Sequence, residues 1–440
     1  MEHRHPVLWG TMILTVSGIA SRCMGFFYRI FLSHTIGAEG IGIYQLIFPV
    51  YTFCFALCAF GIQTAISRLM ASALAQKQEQ HADCIFLIGT AIALSLSLCA
   101  TVTVYVFADW IASVFLQEPR TASLLKLLSF SIPFGVFHSC VNACYYARKK
   151  AEIPAFLQLL EQTARIGSSF LLYHILLSRQ IEPSAWMAVA GVLAGEFLSA
   201  VLCLILISVK KLRPAAPISF FQTGRDIFVL SVPLTCNRVL LTLLTSIENI
   251  LIPIRLRLFG LTGAQALSLF GILTGMVMPL LFFPSAITNS MSVMLLPSVA
   301  QKQALGESNS ITSTVKMTIQ SCLLLGFCCF ALFFCFGHYL GILLFQSETA
   351  GAFLRTFSFI CPFFYLNHTL MSILNGLGKT MRSFLHNLAA VLIRISFTFF
   401  CIPLYGIKGY LWGILLGELL TALLNLLALR PAALKQKAPS

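Results

Sequence analysis

The sequence predicts an all-α polytopic membrane protein, with about 12 transmembrane helices forming two six-helix parallel repeats around a central cavity. Three observations lead there. Only 10% of the 440 residues are charged and 58% are hydrophobic, whereas a soluble domain carries about 25% charged residues. Apolar runs of about 20 residues, the length that crosses a bilayer, recur between short polar breaks. The second half of the chain also repeats motifs of the first in the same order.

In order, spans are expected near 8–31, 43–69, 85–107, 124–146, 153–177 and 185–208. A second set follows near 227–252, 266–295, 314–337, 353–376, 384–403 and 408–429. The first run is long, is interrupted by Arg22 and lacks a small-residue cleavage site, so it reads as a retained helix and not as a signal peptide.

The net charge of +14 does not point to nucleic acid, because the Lys and Arg sit mostly in short loops. Arg148-Lys149-Lys150, Lys210-Lys211, Lys379 and Arg430 fall on one side; Arg120, Arg179 and Lys408 fall on the other. The positive-inside rule then places both termini in the cytoplasm and predicts an even number of spans in the plasma membrane.

The repeat is visible in four span pairs. Ala75-Gln76-Lys77-Gln78 recurs as Ala300-Gln301-Lys302-Gln303, and Phe130-Ser131-Ile132-Pro133-Phe134 as Phe359-Ile360-Cys361-Pro362-Phe363. Arg165 falls on Arg394 at the same offset, and Gly191–Glu196 matches Gly413–Glu418 as G-x-L-x-G-E. Six spans per repeat give both halves the same orientation, related by an axis along the membrane normal, with a substrate cleft expected at their interface. The expected division is a bundle at 1–209, a basic proline-bearing linker at 210–225, a second bundle at 226–430 and a tail at 431–440.

The fifteen Cys lie almost entirely in apolar runs and read as small packing residues. No Cys pair has zinc-ligand spacing flanked by polar loop sequence, and no nucleotide, hydrolase or nucleophile motif is present, so neither metal nor cofactor is expected. Gly376-Leu377-Gly378-Lys379-Thr380 imitates the end of a phosphate-binding loop, but position 373 is Ile where that motif needs Gly. Prolines 49, 133, 233, 253, 279, 284 and 362 interrupt helical hydrogen bonding and mark candidate kinks. His138, His174 and His368 read as satisfied core histidines.

Charge inside the apolar runs is the informative class, because such residues face a cavity or one another. A guanidinium in hydrocarbon costs at least ~2.5 kcal/mol. Arg22 and Arg29 lie seven residues apart, on one face of a helix. Glu161 and Arg165 have the acid-first i,i+4 spacing of an ion pair within one helix. Glu196 and Glu418 end the two glycine motifs, whose glycines allow close packing and whose carboxylates are expected to bond a neighbouring helix. Projecting the first span on the seventh sets Arg29 against Arg255 and Arg22 against Glu248. Two readings follow: Arg22 pairs with Glu248, or Arg22, Arg29, Arg238 and Arg255 line a cationic cavity for an anionic substrate. Arginine suits phosphate or carboxylate because its planar fork bonds both oxygens and stays charged. Glu248, Glu161, Arg165, Arg394, Glu196 and Glu418 are expected to be structural or coupling charges.

S-R-x-x-G-F-x-x-R from Ser21, then Ile36-Gly37-Ala38-Glu39-Gly40-Ile41-Gly42-Ile43-Tyr44-Gln45-Leu46 and Ile62–Met70, carries a family resemblance. The stretch resembles the stage V sporulation protein B-like branch of polysaccharide and lipid-linked oligosaccharide flippases. That branch shares a superfamily with the lipid II flippases and the multidrug and toxin extrusion antiporters. The resemblance implies two six-helix bundles around a cavity of alternating access. It implies a substrate of undecaprenyl-pyrophosphate-linked oligosaccharide or peptidoglycan precursor, moved from inner to outer leaflet for wall or spore-wall synthesis. It puts the pyrophosphate contact on Arg22 and, at a slightly different spacing, on Arg29. Many members of the branch carry two further C-terminal spans, whereas this sequence ends after the twelfth.

The function expected is therefore a non-enzymatic flippase whose partners are the lipid-linked anionic saccharide, the bilayer and an H+ or Na+ gradient, with no nucleic acid. One alternative is a drug/cation antiporter of the same fold, which needs a carboxylate-lined cavity where the first span here offers only basic charge. A second is a non-transporting envelope assembly factor.

Overall fold

A computed structural model of the chain describes residues 6–210, 220–305 and 308–429. Within these residues the protein is helical, and the described helices fall into twelve successive segments. They are α1 (Pro6–Thr35), α2 (Gly37–Ala75), α3 (Glu79–Val106), α4 (Thr121–Ala147), α5 (Glu152–Ser178) and α6 (Ala185–Lys210). Then come α7 (Phe220–Leu258), α8 in two parts (Gly263–Phe282 and Ser285–Ala304), α9 (Ser308–Phe345), α10 (Glu348–Gly376), α11 (Thr380–Phe400) and α12 (Ile407–Ala428). Each coincides with an expected span.

Ten of these are long and apolar enough to cross a membrane. The two outside that set are α1 and α5, the helices that carry Arg22 with Arg29 and Glu161 with Arg165. Phe228 on α7 and Leu324, Phe327 and Leu343 on α9 present large apolar side chains outward. A surface of that kind is stable against lipid and costly in water.

The chain divides into two compact units, Met1–Ser246 and Ile247–Ser440, and the division falls inside α7. The last residues of the linker expected at 210–225 lie within α7. Phe220–Arg225 already forms the first turns of α7, because the last proline of the stretch is Pro217 and none follows before Pro233. Residues 211–219 and the expected tail at 431–440 lie outside the described residues.

In the first unit, α1 turns into α2 at Gly37, whose φ of 68° is the left-handed region where a side chain is strained. The turn is tied to the α3–α4 connection: Arg120 bonds Glu118 at 2.6 Å and Glu39 at 2.7 Å. Helix α4 breaks at Phe130, just before Pro133. Proline cannot bond the carbonyl four residues back, and that carbonyl, on Ser129, accepts the Thr101 hydroxyl of α3 at 3.1 Å. In the second unit α10 breaks at the equivalent place, with a tight turn at Ser358–Ile360 before Pro362. Helix α8 is broken at Phe283-Pro284, while α7 runs through Pro233 and Pro253.

Helix ends also repeat. Behind α4, Lys150 N–H bonds the Tyr145 carbonyl at 3.0 Å around Lys149, which has φ 59°. Behind α10, Lys379 N–H bonds the Leu374 carbonyl at 2.9 Å around Gly378, with φ 71°. Both are left-handed helix-ending turns. The loop that imitates a phosphate-binding motif is one of them.

Candidate functional site

Each unit holds a buried ionic cluster built on the same three repeat positions. In the first unit the cluster joins α4, α5 and α6. Helix α6 lies close against α5 because Gly191 and Gly195 carry no side chain. A Cβ at Gly195 would stand 2.8 Å from the Glu161 carbonyl, and one at Gly191 would stand 2.9 Å from the Arg165 carbonyl. That approach brings Glu196 to the level of Glu161.

Glu161 Oε1 accepts from Arg165 Nη2 at 2.6 Å, the i,i+4 pair that the spacing predicts. Glu196 Oε1 accepts from the Tyr51 hydroxyl of α2 at 3.2 Å. With one oxygen of each carboxylate held, the Oε2 atoms face His138 Nδ1 of α4, both at 3.8 Å. His138 Nε2 lies 3.0 Å from Asn142 Nδ2, one turn further along α4. Ser139 donates to Gln63 beside the ring. His138 and Glu196 are 6% and 8% exposed, and with Glu161 they line a cavity of about 410 Å³. Three buried atoms here have no hydrogen-bond partner: Glu196 Oε2, Asn142 Oδ1 and Arg165 Nε.

In the second unit Arg394 of α11 takes the place of Arg165, and Glu418 of α12 that of Glu196. Asn367 of α10 stands at the offset from Pro362 that His138 has from Pro133. Here Asn367 Nδ2 donates to Glu418 Oε2 at 2.7 Å and to the Glu418 carbonyl at 2.8 Å. Ala390 occupies the position of Glu161, and the acid comes instead from Glu248 of α7. Arg394 grips Glu248 with Nε at 2.9 Å and Nη2 at 3.1 Å, and the Tyr410 hydroxyl donates to it at 3.0 Å. Arg394 also stands 4.0 Å from Glu418. This revises one expectation: the carboxylate that the repeat set against Arg22 is engaged by Arg394 and Tyr410 within its own unit. A projection of one span on another carries no information about a third helix, and α11 supplies the better-placed cation.

The four arginines expected to meet a substrate are distributed as follows. Arg22 is exposed and Arg29 half-buried on α1, and Arg29 lies within electrostatic reach of Arg165 and Tyr44. Helix α1 is pinned to α5 by a 2.8 Å bond between the Tyr28 and Ser169 hydroxyls. Arg238 is exposed, its guanidinium 5.1 Å from the Phe60 ring centre. These three belong to the first unit. Arg255 belongs to the second, stacked 3.5 Å from the Phe399 ring centre. The sequence reading set His138 aside as a core residue and did not weigh Tyr51, Asn142, Asn367 or Tyr410. The signal that could have found His138 was its repeat register with Asn367.

Residues 7–303 match the family model described as polysaccharide biosynthesis protein. The chain is 27% identical to stage V sporulation protein B of Bacillus subtilis (strain 168) over 430 residues, covering 96% of this chain and 83% of that one. It is 20% identical to lipid II flippase MurJ of the same organism over 342 residues, 72% of this chain and 62% of that one. Among solved structures it resembles an inward-facing multidrug resistance MATE family transporter of the MOP superfamily. The TM-score is 0.72 at 17% identity, with 99% of each chain covered. That likeness establishes the fold: an all-helical, multi-pass membrane architecture built on an internal repeat.

Proposed function

The chain belongs to the polysaccharide biosynthesis protein family, and from that membership we propose that it is a membrane flippase for an anionic lipid-linked saccharide. It carries an undecaprenyl-pyrophosphate-linked oligosaccharide or peptidoglycan precursor from the inner to the outer leaflet of the plasma membrane by alternating access. Both termini are cytoplasmic, and the chemistry is transport without bond making or breaking. An H+ or Na+ gradient supplies the driving force, consistent with a sequence that carries no nucleotide motif.

The observation that carries this reading is α1. It is the first expected span, yet it carries two guanidiniums at a spacing that puts them on one face, with Arg22 accessible. Cations within a span persist where they meet an anion or water, and a pyrophosphate offers the fork-matching oxygens that arginine binds best. The relative named a lipid II flippase supports a lipid-linked substrate, and the one named a sporulation protein supports a role in spore formation.

The test is reconstitution in vesicles with a fluorescent undecaprenyl-pyrophosphate oligosaccharide. A hydrogen bond to a charged group is worth about 1.5–3 kcal/mol, so Arg22→Ala and Arg29→Ala should each slow translocation by about ten- to a hundredfold. Undiminished transport by both variants would remove the arginines from the site. A wild type that moves no lipid-linked headgroup but exports a cationic dye against an ion gradient would instead favour the antiporter reading. Movement of neither would favour the assembly-factor reading.

A further inference from the structure

We propose that His138, Glu161 and Glu196 form a proton-binding site, in which one proton is held as the His138 imidazolium, and that this is the ion that drives transport. The coupling half of the statement rests on the flippase reading above; the binding half does not.

The geometry points to one missing positive charge. Arg165 pairs with Glu161 through a 2.6 Å contact, which leaves the Glu196 carboxylate without a cationic side chain in bonding contact. Tyr51 holds one Glu196 oxygen by a neutral hydrogen bond; the other has no partner although the residue is 8% exposed. Leaving a buried charged acceptor unmet is costly. The nearest donor is His138 Nδ1, and 3.8 Å is too long for a hydrogen bond. A divalent metal would overshoot: with Arg165 in place the three side chains and the ion would carry surplus positive charge. A sodium ion prefers oxygen donors, whereas the apex of this site is an imidazole nitrogen.

One proton satisfies Glu196 Oε2 and Asn142 Oδ1 together. Nε2 now faces the Asn142 Nδ2 group, so its lone pair is the basic position and Nδ1 carries the hydrogen that points at the carboxylates. A hydronium in the cavity gives its proton to Nε2 and leaves as water. The Asn142 amide then turns its partnerless Oδ1 to accept the new Nε2–H. The ring, now cationic, is drawn by its Nδ1–H toward Glu196 Oε2 and Glu161 Oε2. Closing that gap to a charge-assisted bond takes about 1 Å of movement between α4 and α6, a displacement that a packed bundle transmits. The groups that face the ring are Glu161 and Arg165 from α5, Glu196 from α6 and Tyr51 from α2. Tyr146 of α4 lines the same cavity, and Cys203 of α6 lies within electrostatic reach of Glu196.

The binding experiment needs no substrate. The full chain, carrying isotope-labelled histidine and held in lipid nanodiscs, is followed by nitrogen NMR between about pH 5 and pH 8. One imidazolium signal should vanish in His138→Asn, a replacement the second unit already accommodates at Asn367. In Glu196→Gln its population at about pH 6 should fall about tenfold. A His138 ring that stays neutral across this range, or an imidazolium population indifferent to Glu196→Gln, overturns the proposal. So does stoichiometric Zn2+ or Na+ retained by the wild type at neutral pH and lost in His138→Asn.

The coupling experiment uses the vesicle assay: wild-type translocation should accelerate about tenfold under a pH gradient of about one unit, and His138→Asn should show no response to it. Gradient-sensitive transport by His138→Asn overturns the coupling role. A wild type that moves no lipid-linked saccharide fails the flippase reading instead, and leaves the NMR result standing.

Discussion

The two ionic clusters use one repeat template and end in opposite states. In the second unit both carboxylates are held: Glu248, 3% exposed, receives two bonds from Arg394 and one from Tyr410, and Asn367 Nδ2 locks Glu418, although the Asn367 Oδ1 atom is left without a partner. In the first unit the acid is moved onto the helix of the arginine itself, and Asn is replaced by His. The result is a cluster that opens on a cavity and keeps a carboxylate oxygen, Glu196 Oε2, without a partner. Two substitutions in a repeated frame, Ala390 for Glu161 and Asn367 for His138, separate a fixed brace from a site able to take up a cation.

The sharpest way to break that contrast is to remove each arginine. Arg394→Ala leaves Glu248 charged, buried and short of its main partner, a defect worth about 3–5 kcal/mol. Arg165→Ala leaves Glu161 facing an open cavity that can hydrate it, so the loss should be smaller. Thermal unfolding of the purified variants in detergent measures both, and equal losses would abolish the distinction between brace and site.

The glycine motifs come next. Gly195→Ala drives a Cβ to 2.8 Å from the Glu161 carbonyl, which is backbone and cannot yield. The cost expected is about 1–3 kcal/mol. Gly417→Ala meets the Ala390 carbonyl at 3.2 Å and should cost less in the same assay. A Gly417→Ala loss as large as that of Gly195→Ala would mean that the two helix pairs are equally tight.

The smallest effect belongs to the paired helix ends. Lys149 holds a left-handed conformation that Gly378 adopts freely, so Lys149→Gly should stabilise the first unit by about 0.5–1 kcal/mol and Gly378→Ala destabilise the second by a similar amount. A Lys149→Gly variant with an unchanged or lowered melting temperature would show that the two turns are not equivalent.

Much of this was legible beforehand. All twelve helices coincide with expected spans, and ten of them are apolar enough to cross a membrane, because lipid requires a spanning segment to satisfy its own backbone and be apolar outside. The Glu161–Arg165 pair and the close packing of Gly195 were readable because helical spacing settles them within one or two adjacent spans. His138 was missed because nothing within α4 distinguishes a ring packed in a core from one set between two carboxylates of other helices. Helix α7 begins at Phe220, ahead of the span expected from 227, for a related reason: the basic stretch before it reads as a loop, while the helix needs only the absence of proline to extend into it.

The order and repeat of the spans, their apolar faces, the pairing of Glu161 with Arg165 and the presence of costly arginines on α1 were therefore determined by the sequence alone. Periodicity and hydropathy act within a helix, and a single chain displays both. Which cation meets Glu248, and that His138 stands between Glu161 and Glu196, was decided only by tertiary structure. Those contacts join three or four helices distant in sequence, and their geometry depends on how closely glycines let each backbone approach.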